Sequence, residues 1–303
     1  MGANLVRRVI NEAETKVTVL DNLEPIMEST ADSLKEVMDK ITFVQGDIRD
    51  AGVLKEHVTG KDIIFNCAAQ TSHPKSLEDP ILDAEINCIG TLKVLEAVRD
   101  YAKDAVVVYS SSSTVIGKAT GDVVDEEHGE KPLDIYSANK GVAEKYHRIF
   151  NRLYNLKTVV LRFPNLYGPF GKTSPAFGFV NYFISLAQKG EPITIFGEGE
   201  QTRNLLFAQD ACDILWLAAN TPKLFGEIYF AAHKEHHSVK EIAEAIVETF
   251  GGKINYVPWP EIRKRIDVDK VFISSAKLNN LTGWEAKYSL KQGLEITRER
   301  EKK

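Results

Sequence analysis

Ala105-Val106-Val107-Val108-Tyr109-Ser110 is an unbroken apolar run that ends on a hydroxyl, set between two long stretches of helical composition, 81–101 and 137–154. A strand with one wet face alternates polar and apolar residues, whereas a strand that is apolar throughout is covered on both faces. The flanking helices supply that cover, and a strand–helix–strand unit of this size is a right-handed parallel crossover. The texture repeats outward. Residues 16–20, 41–45, 62–67 and 157–162 read as further strands, and 4–12 and 51–58 as further helices. The expected fold is α/β, a doubly wound parallel sheet whose ligands lie at the carboxyl ends of its strands.

Beyond Arg162 the pattern changes. Residues 163–174 are rich in Pro, Gly and Asn, Gly197 and Gly199 mark a turn, and 179–189, 240–250 and 274–281 read as helices. This is expected to be a smaller substrate lobe, 166–203 and 233–303, interleaved with a sheet domain of 1–165 that also receives about 204–232. Only the charged tail 298–303 looks dispensable. The chain of 303 residues is 43% hydrophobic and 27% charged, with a net charge of −5. That balance carries no basic stripe for nucleic acid and argues against a purely electrostatic membrane or phosphate binder. Cys67, Cys88 and Cys212 form no CxxC pair and sit among apolar or small residues, which suits core positions in a reducing compartment. No apolar run reaches the ~18 residues of a membrane span, so the expected location is the cytoplasm.

The chemistry is carried by Ser112 and by Tyr136-Ser-Ala-Asn-Lys140. On a helix, residues four apart project from one face. An ammonium beside a phenol favours the phenolate, so the tyrosine is expected below its ordinary pKa, able to take a hydroxyl proton while the same carbon is oxidised. Ser112 would hold the same oxygen. Asp21, directly after the 16–20 strand, suits the adenosine ribose diol of a dinucleotide and repels the extra phosphate of NADP. Asn22 is its neighbour. Asp47 and Ile48, after the next strand, suit the adenine edge. Ala68, Ala69 and Gln70, after the third, offer small residues where a cofactor must approach the backbone closely.

The glycine-rich turn that should precede Asp21 by about 20 residues is only partly present. Met1-Gly2-Ala3-Asn4 reads like the end of a GxxGxxG turn entering its helix, with Gly2 as the third glycine. The first strand and two glycines are missing from that register, as though translation began at an internal methionine. A pyrophosphate would rest on the start of this helix. The expectation is therefore weakened NAD binding, an unpaired central sheet position and a tendency to aggregate.

Taken together, these segments resemble the extended short-chain dehydrogenase/reductases, in the nucleotide-sugar epimerase/dehydratase branch, from Gly2 to about Thr297. The markers are Leu20-Asp21-Asn22-Leu23, Gly46-Asp47-Ile48, Cys67-Ala68-Ala69-Gln70, Asn87 with Gly90-Thr91, and the 110–117 run with Tyr136 and Lys140. Further on come Arg162-Phe163-Pro164-Asn165, Tyr167-Gly168-Pro169, the Gly197-x-Gly199-x-Gln201-x-Arg203 stretch and Thr282-Gly283-Trp284. The resemblance implies a Rossmann-like fold, NAD as cofactor and a nucleotide-diphosphate sugar as substrate. By it, Ser112, Tyr136 and Lys140 are catalytic, and Gly2, Asn87 and Ser110 join the cofactor contacts. Thr71 and Ser72 line the sugar site, while Asn165 and Arg203 meet the diphosphate, with Arg263 or Lys264 as further candidates. It also implies a homodimer whose four-helix bundle uses 81–101 and 137–154.

Dehydratases and decarboxylases of this branch carry an acid just after the catalytic serine, where this chain has Ser113 and Thr114. Neither can act as the carboxylate that elimination requires. Epimerisation, most commonly at C4 of a UDP-hexose, is the expected reaction. The competing readings are a CDP-sugar 2-epimerase, a 4-reductase, or a truncated module that binds and dimerises without turnover. His73 is a candidate contact to a polar or carboxylated sugar. His233, His236 and His237 read as a solvated loop, and no metal is required.

Overall fold

The computed structural model describes residues 1–25, 28, 30–119, 123–260 and 271–301. Helix and strand alternate through the first half: α1 (Gly2–Val9), β1 (Val17–Asp21), β2 (Ile41–Gln45), α2 (Ala51–Val58), β3 (Ile63–Asn66) and α3 (His73–Glu78). There follow α4 (Pro80–Ala84), α5 (Thr91–Tyr101), β4 (Val106–Ser112), β5 (Val123–Val124), α6 (Ile135–Tyr154) and β6 (Lys157–Phe163). The second half holds β7 (Asn165–Tyr167), α7 (Phe179–Gln188), β8 (Pro192–Phe196), β9 (Thr202–Phe207), α8 (Ala208–Ala219) and β10 (Ile228–Phe230). Then come β11 (His236–Ser238), α9 (Val239–Phe250), β12 (Lys253–Val257), β13 (Phe272–Ile273) and the helices Ala276–Thr282 and Leu290–Glu301.

Local chemistry fixes the ends of the helices that matter. Asp50 caps α2 by accepting from the amides of Gly52 and Val53, and Asp134 caps α6 at the Ser137 amide. Asn155 ends α6 in the left-handed region at φ 58°. The expected 81–101 helix runs from Pro80 to Tyr101 with a wide π-helical turn, Glu85–Gly90, between α4 and α5. Gly90 lets the turn pack closely there: a Cβ would stand 2.7 Å from the end of the Ile48 side chain, which would have to move.

All the ladders among β1, β2, β3, β4, β6 and β10 are parallel, as the apolar runs require. They form two pieces, β2–β1 and β3–β4–β6–β10. Among the described residues no ladder joins β1 to β3. Met1, Val17, Ile63 and Phe65 instead pack side chains against one apolar cluster on the α8 side, with Val108, Val159 and Leu161 at its centre. On the opposite face Val107 and Leu156 are fully buried together with Leu95 and Val98 of α5, in a cluster that α2 also joins.

The later segment builds β7–β9–β11 and the pair β8–β12 around α7, α9 and the C-terminal helix. Two expectations change here. His236 and His237 lie on β11, paired with β9, and His233 is buried with its ring accepting from the Glu235 amide. They are ordered parts of the lobe and not a solvated loop. The charged tail is anchored as well: Arg298 donates to the Thr249 carbonyl, and Arg300 pairs with Glu36. Arg263 and Lys264 lie outside the described residues. No described helix is long and apolar enough to cross a membrane.

Candidate active site

Ser112 ends β4, the central strand, and faces Phe163 of β6 across the ladder. Asp134 starts α6 at a point that puts Tyr136 in its first turn and Lys140 one turn later, both buried against the sheet. The same face continues through Glu144 and His147. Ser112 shares a hydrogen bond of 2.8 Å with the Thr114 hydroxyl, which also accepts from Ser137 at 2.9 Å.

The electrostatics differ from the expected ones. The Tyr136 phenol is pushed up, first by burial and then by Asp134 and Asp83, with Ser112 easing it only in part. Lys140 does not point its charge at the phenol. Its ammonium donates to the Ser110 carbonyl at 2.6 Å and lies 4.2 Å from the centre of the Tyr109 ring. Burial lowers its pKa to about 8, although Glu144 and Asp83 pull the other way. The expected depression of the tyrosine is thus replaced by a protonated phenol beside a lysine that releases its proton easily, because desolvation outweighs the neighbouring charge.

One cavity of about 1710 Å³ reaches from Asp21 to Arg203 and takes in the trio. Gly2, Asn22, Asp47, Ile48, Ala68 and Ala69 border its sheet end. Ser110, Ser112, Tyr136 and Lys140 border its middle, and Thr71, Asn165 and Arg203 the lobe side. Gln70, Ser72 and Asn87 stand behind that wall. Asn87 donates to the Gln70 carbonyl at 2.9 Å and to Asp83 at 3.1 Å, while the Gln70 amide donates to Asp83 at 2.8 Å. Ser72 caps α3 through the Lys75 amide. These side chains hold the β3–α3 loop in place, and Asn139 of α6 ties the same Asp83 in at 2.7 Å.

At the first strand end, the exposed Asp21 carboxylate accepts from the Leu23 amide at 2.8 Å. Asn22 reaches Asp47, and Arg49 grips both Asp47 oxygens, which holds that acid down at about 2. These features suit a dinucleotide. The start of α1 borders the cavity, and a Cβ added at Gly2 would meet nothing within 4 Å. The Asn87 side-chain oxygen, behind the same wall, is buried with no partner.

Two features escaped the sequence reading. Asp134 holds the His73 ring at 2.6 Å, and that ring meets Tyr136 edge-on with centroids 4.8 Å apart. Nothing in the spacing of 73 and 134 announces such a pair. Glu144, by contrast, follows Lys140 by four residues, so the helical period that joined Tyr136 to Lys140 already placed it on the same face.

Comparison with known proteins shows which family the chain belongs to. A putative UDP-glucose 4-epimerase of Methanocaldococcus jannaschii is 31% identical over 298 residues, 97% of this chain and 92% of that protein. A CDP-paratose 2-epimerase of Salmonella typhi is 28% identical, covering 97% and 94%. The crystal structure of a UDP-glucose 4-epimerase of Thermotoga maritima with UDP-glucose superposes with a TM-score of 0.89 at 27% identity, covering 99% of this chain and 95% of that one. Residues 1–232 match the model of the NAD dependent epimerase/dehydratase family, and to that family this chain belongs.

Proposed function

We propose that the chain epimerises a nucleotide-diphosphate sugar, at C4 of the hexose, by way of a transient ketone. The observation that carries this reading is the meeting of Ser112 from β4 with Tyr136 and Lys140 from α6 in one cavity that also receives Asp21 and Arg203. Asp21 suits the adenosine ribose, the α1 amides the pyrophosphate, and Lys140 and Ser110 the nicotinamide end. NAD held there would supply an acceptor for two electrons from the sugar carbon. Burial keeps the resting phenol protonated, so Tyr136 first gives that proton up to solvent; as phenolate it takes the hydroxyl proton when the carbon is oxidised and returns it when the carbon is reduced on its other face. Ser112 donates to the same oxygen and keeps it in line, with Thr114 orienting the serine. Arg203 presents a planar fork to the diphosphate, and Asn165 stands beside it. Neither Ser113 nor Thr114 can protonate a leaving hydroxyl, which favours return of the same atoms over elimination.

The test is interconversion of UDP-glucose and UDP-galactose by the purified chain with NAD, followed by chromatography of the nucleotide sugars. Equilibration from either side with no net change in the cofactor is expected. Stoichiometric consumption of reduced cofactor would assign a reductase instead, and no turnover of either sugar would sink the reading.

A further inference from the structure

We propose that His73, held by Asp134, is a second acid/base group of this pocket, acting on the carbon–hydrogen bonds next to a ketone in the bound sugar. The inference rests on the nucleotide-sugar reading above and adds a reaction to it. The sequence offers no carboxylate at positions 113 and 114, but the fold delivers another titratable group from a different direction. Ser72 starts α3 so that His73 occupies its first turn, and Asp134 starts α6, so the two helix starts face each other across the cavity wall.

Asp134 accepts the Ser137 amide with one oxygen, at 2.8 Å, and meets His73 Nδ1 with the other, at 2.6 Å. Burial pushes this acid up, but its bonds to His73 and Ser137 outweigh that and leave it below its ordinary value. A carboxylate can only accept, so Nδ1 carries the proton and Nε2 of the neutral ring keeps its lone pair. The aspartate therefore orients the imidazole as the third member of a catalytic triad does. The ring is partly exposed, borders the cavity and stands against Tyr136, with centroids 4.8 Å apart. A carbon next to the one Tyr136 serves lies only about one bond length further on, so a base on this wall is within reach.

The step balances without an oxidant. Nε2 takes the proton from the carbon beside the ketone, that C–H pair becomes the carbon–carbon double bond, and the carbonyl pair moves onto oxygen. The Tyr136 and Ser112 hydroxyls donate to the resulting enolate oxygen. Return of a proton from Nε2 to carbon restores the ketone, with solvent hydrogen incorporated and either configuration accessible at that carbon.

The test gives the chain, with no nicotinamide cofactor added, a nucleoside-diphosphate 4-keto-6-deoxyhexose in D2O. Proton NMR follows loss of the hydrogens flanking the ketone, and calorimetry measures binding of the same sugar. The parent should accelerate exchange over buffer. H73Q can still donate to Asp134 but offers no base, and its rate at saturation should fall about a hundredfold or more. The half-saturating concentration should move less than about threefold, as expected when a group acts in the reaction and not in binding. D134N keeps a good helix cap yet loses the orienting carboxylate, and should cost about tenfold or more. Binding without exchange by the parent, exchange by H73Q at the parent rate, or a change in half-saturation alone overturns the proposal. No binding at all would instead overturn the nucleotide-sugar reading, and this inference with it.

Discussion

Lys140 is buried with its ammonium on a single carbonyl and a ring face, which is poor compensation for a charge taken out of water. Its folded pKa of about 8 lies below the ordinary 10.5. Between those values the unfolded chain holds a proton that the folded chain has released, so stability climbs with pH through that window. It falls again as pH drops towards 8, where the lysine must be buried as a cation. The methionine variant Lys140→Met keeps the volume and removes the charge. Its melting temperature at pH 7 should equal or exceed the parent's, and the rise in stability between pH 8 and 10.5 should disappear, while turnover falls by about a hundredfold or more. Thermal scans across that pH range read all but the last. A melting temperature several degrees lower would mean that the ammonium is well compensated after all. The site thus sacrifices some stability for a lysine held ready beside the phenol.

At the level of elements, the position of Tyr136 depends on how α6 is fastened to β6. Glu144 and Arg162, both buried, make the joint: the guanidinium meets the Glu144 carboxylate at 2.6 Å, and Ser111 of β4 donates to the same acid. Without Glu144 the buried guanidinium would keep only Glu130, partly exposed and 2.9 Å away, and Arg162 already has one buried nitrogen without a partner. Glu144→Ala should therefore lower the unfolding free energy by about 3–5 kcal/mol, whereas the double change to leucine at 144 and methionine at 162 should lower it much less. Urea denaturation of both variants separates the two cases; equal losses would refute the account. The helices α8 and Leu290–Glu301 were not read from the sequence, but β1, β2, β3, β4 and β6 and the helices α2, α6 and α9 were, because each of these strands is a bounded apolar run and each of these helices starts at a side-chain cap. Their ends moved by a residue or two, as at β4, which continues to Ser112 and so carries the serine on the strand itself. Tyr136 and Lys140 were legible because they share one helical period, which also reaches Glu144, a residue the sequence reading passed over. The His73–Asp134 pair was not, because it joins two helix starts that only the tertiary fold brings together.

At the scale of the whole molecule, no ladder joins β1 to β3 among the described residues, and side chains alone bridge the two pieces of the sheet. The outer surface raises a separate question. Val142, Ile149 and Leu153 form a stripe along α6 with 36%, 47% and 65% of their surface exposed, and on the neighbouring helical rod Ile81 and Ile89 are exposed at 70% and 45%. The spacing of 142, 149 and 153 keeps one helix face apolar, which is the pattern of a packed face and not of a solvated one. Two such helices meeting their symmetry copies form a four-helix bundle about a twofold axis, with each apolar face buried by itself. We propose that the chain is a homodimer through this face. Light scattering on the eluting peak should give twice the 33.9 kDa of the chain. Replacing Ile149 and Leu153 together by glutamate should return the mass to one chain. Both side chains already lie on the surface, so the variant should keep the circular dichroism of the parent. A parent that elutes as a monomer at tens of micromolar, or a double variant that stays paired, would remove this face as the interface.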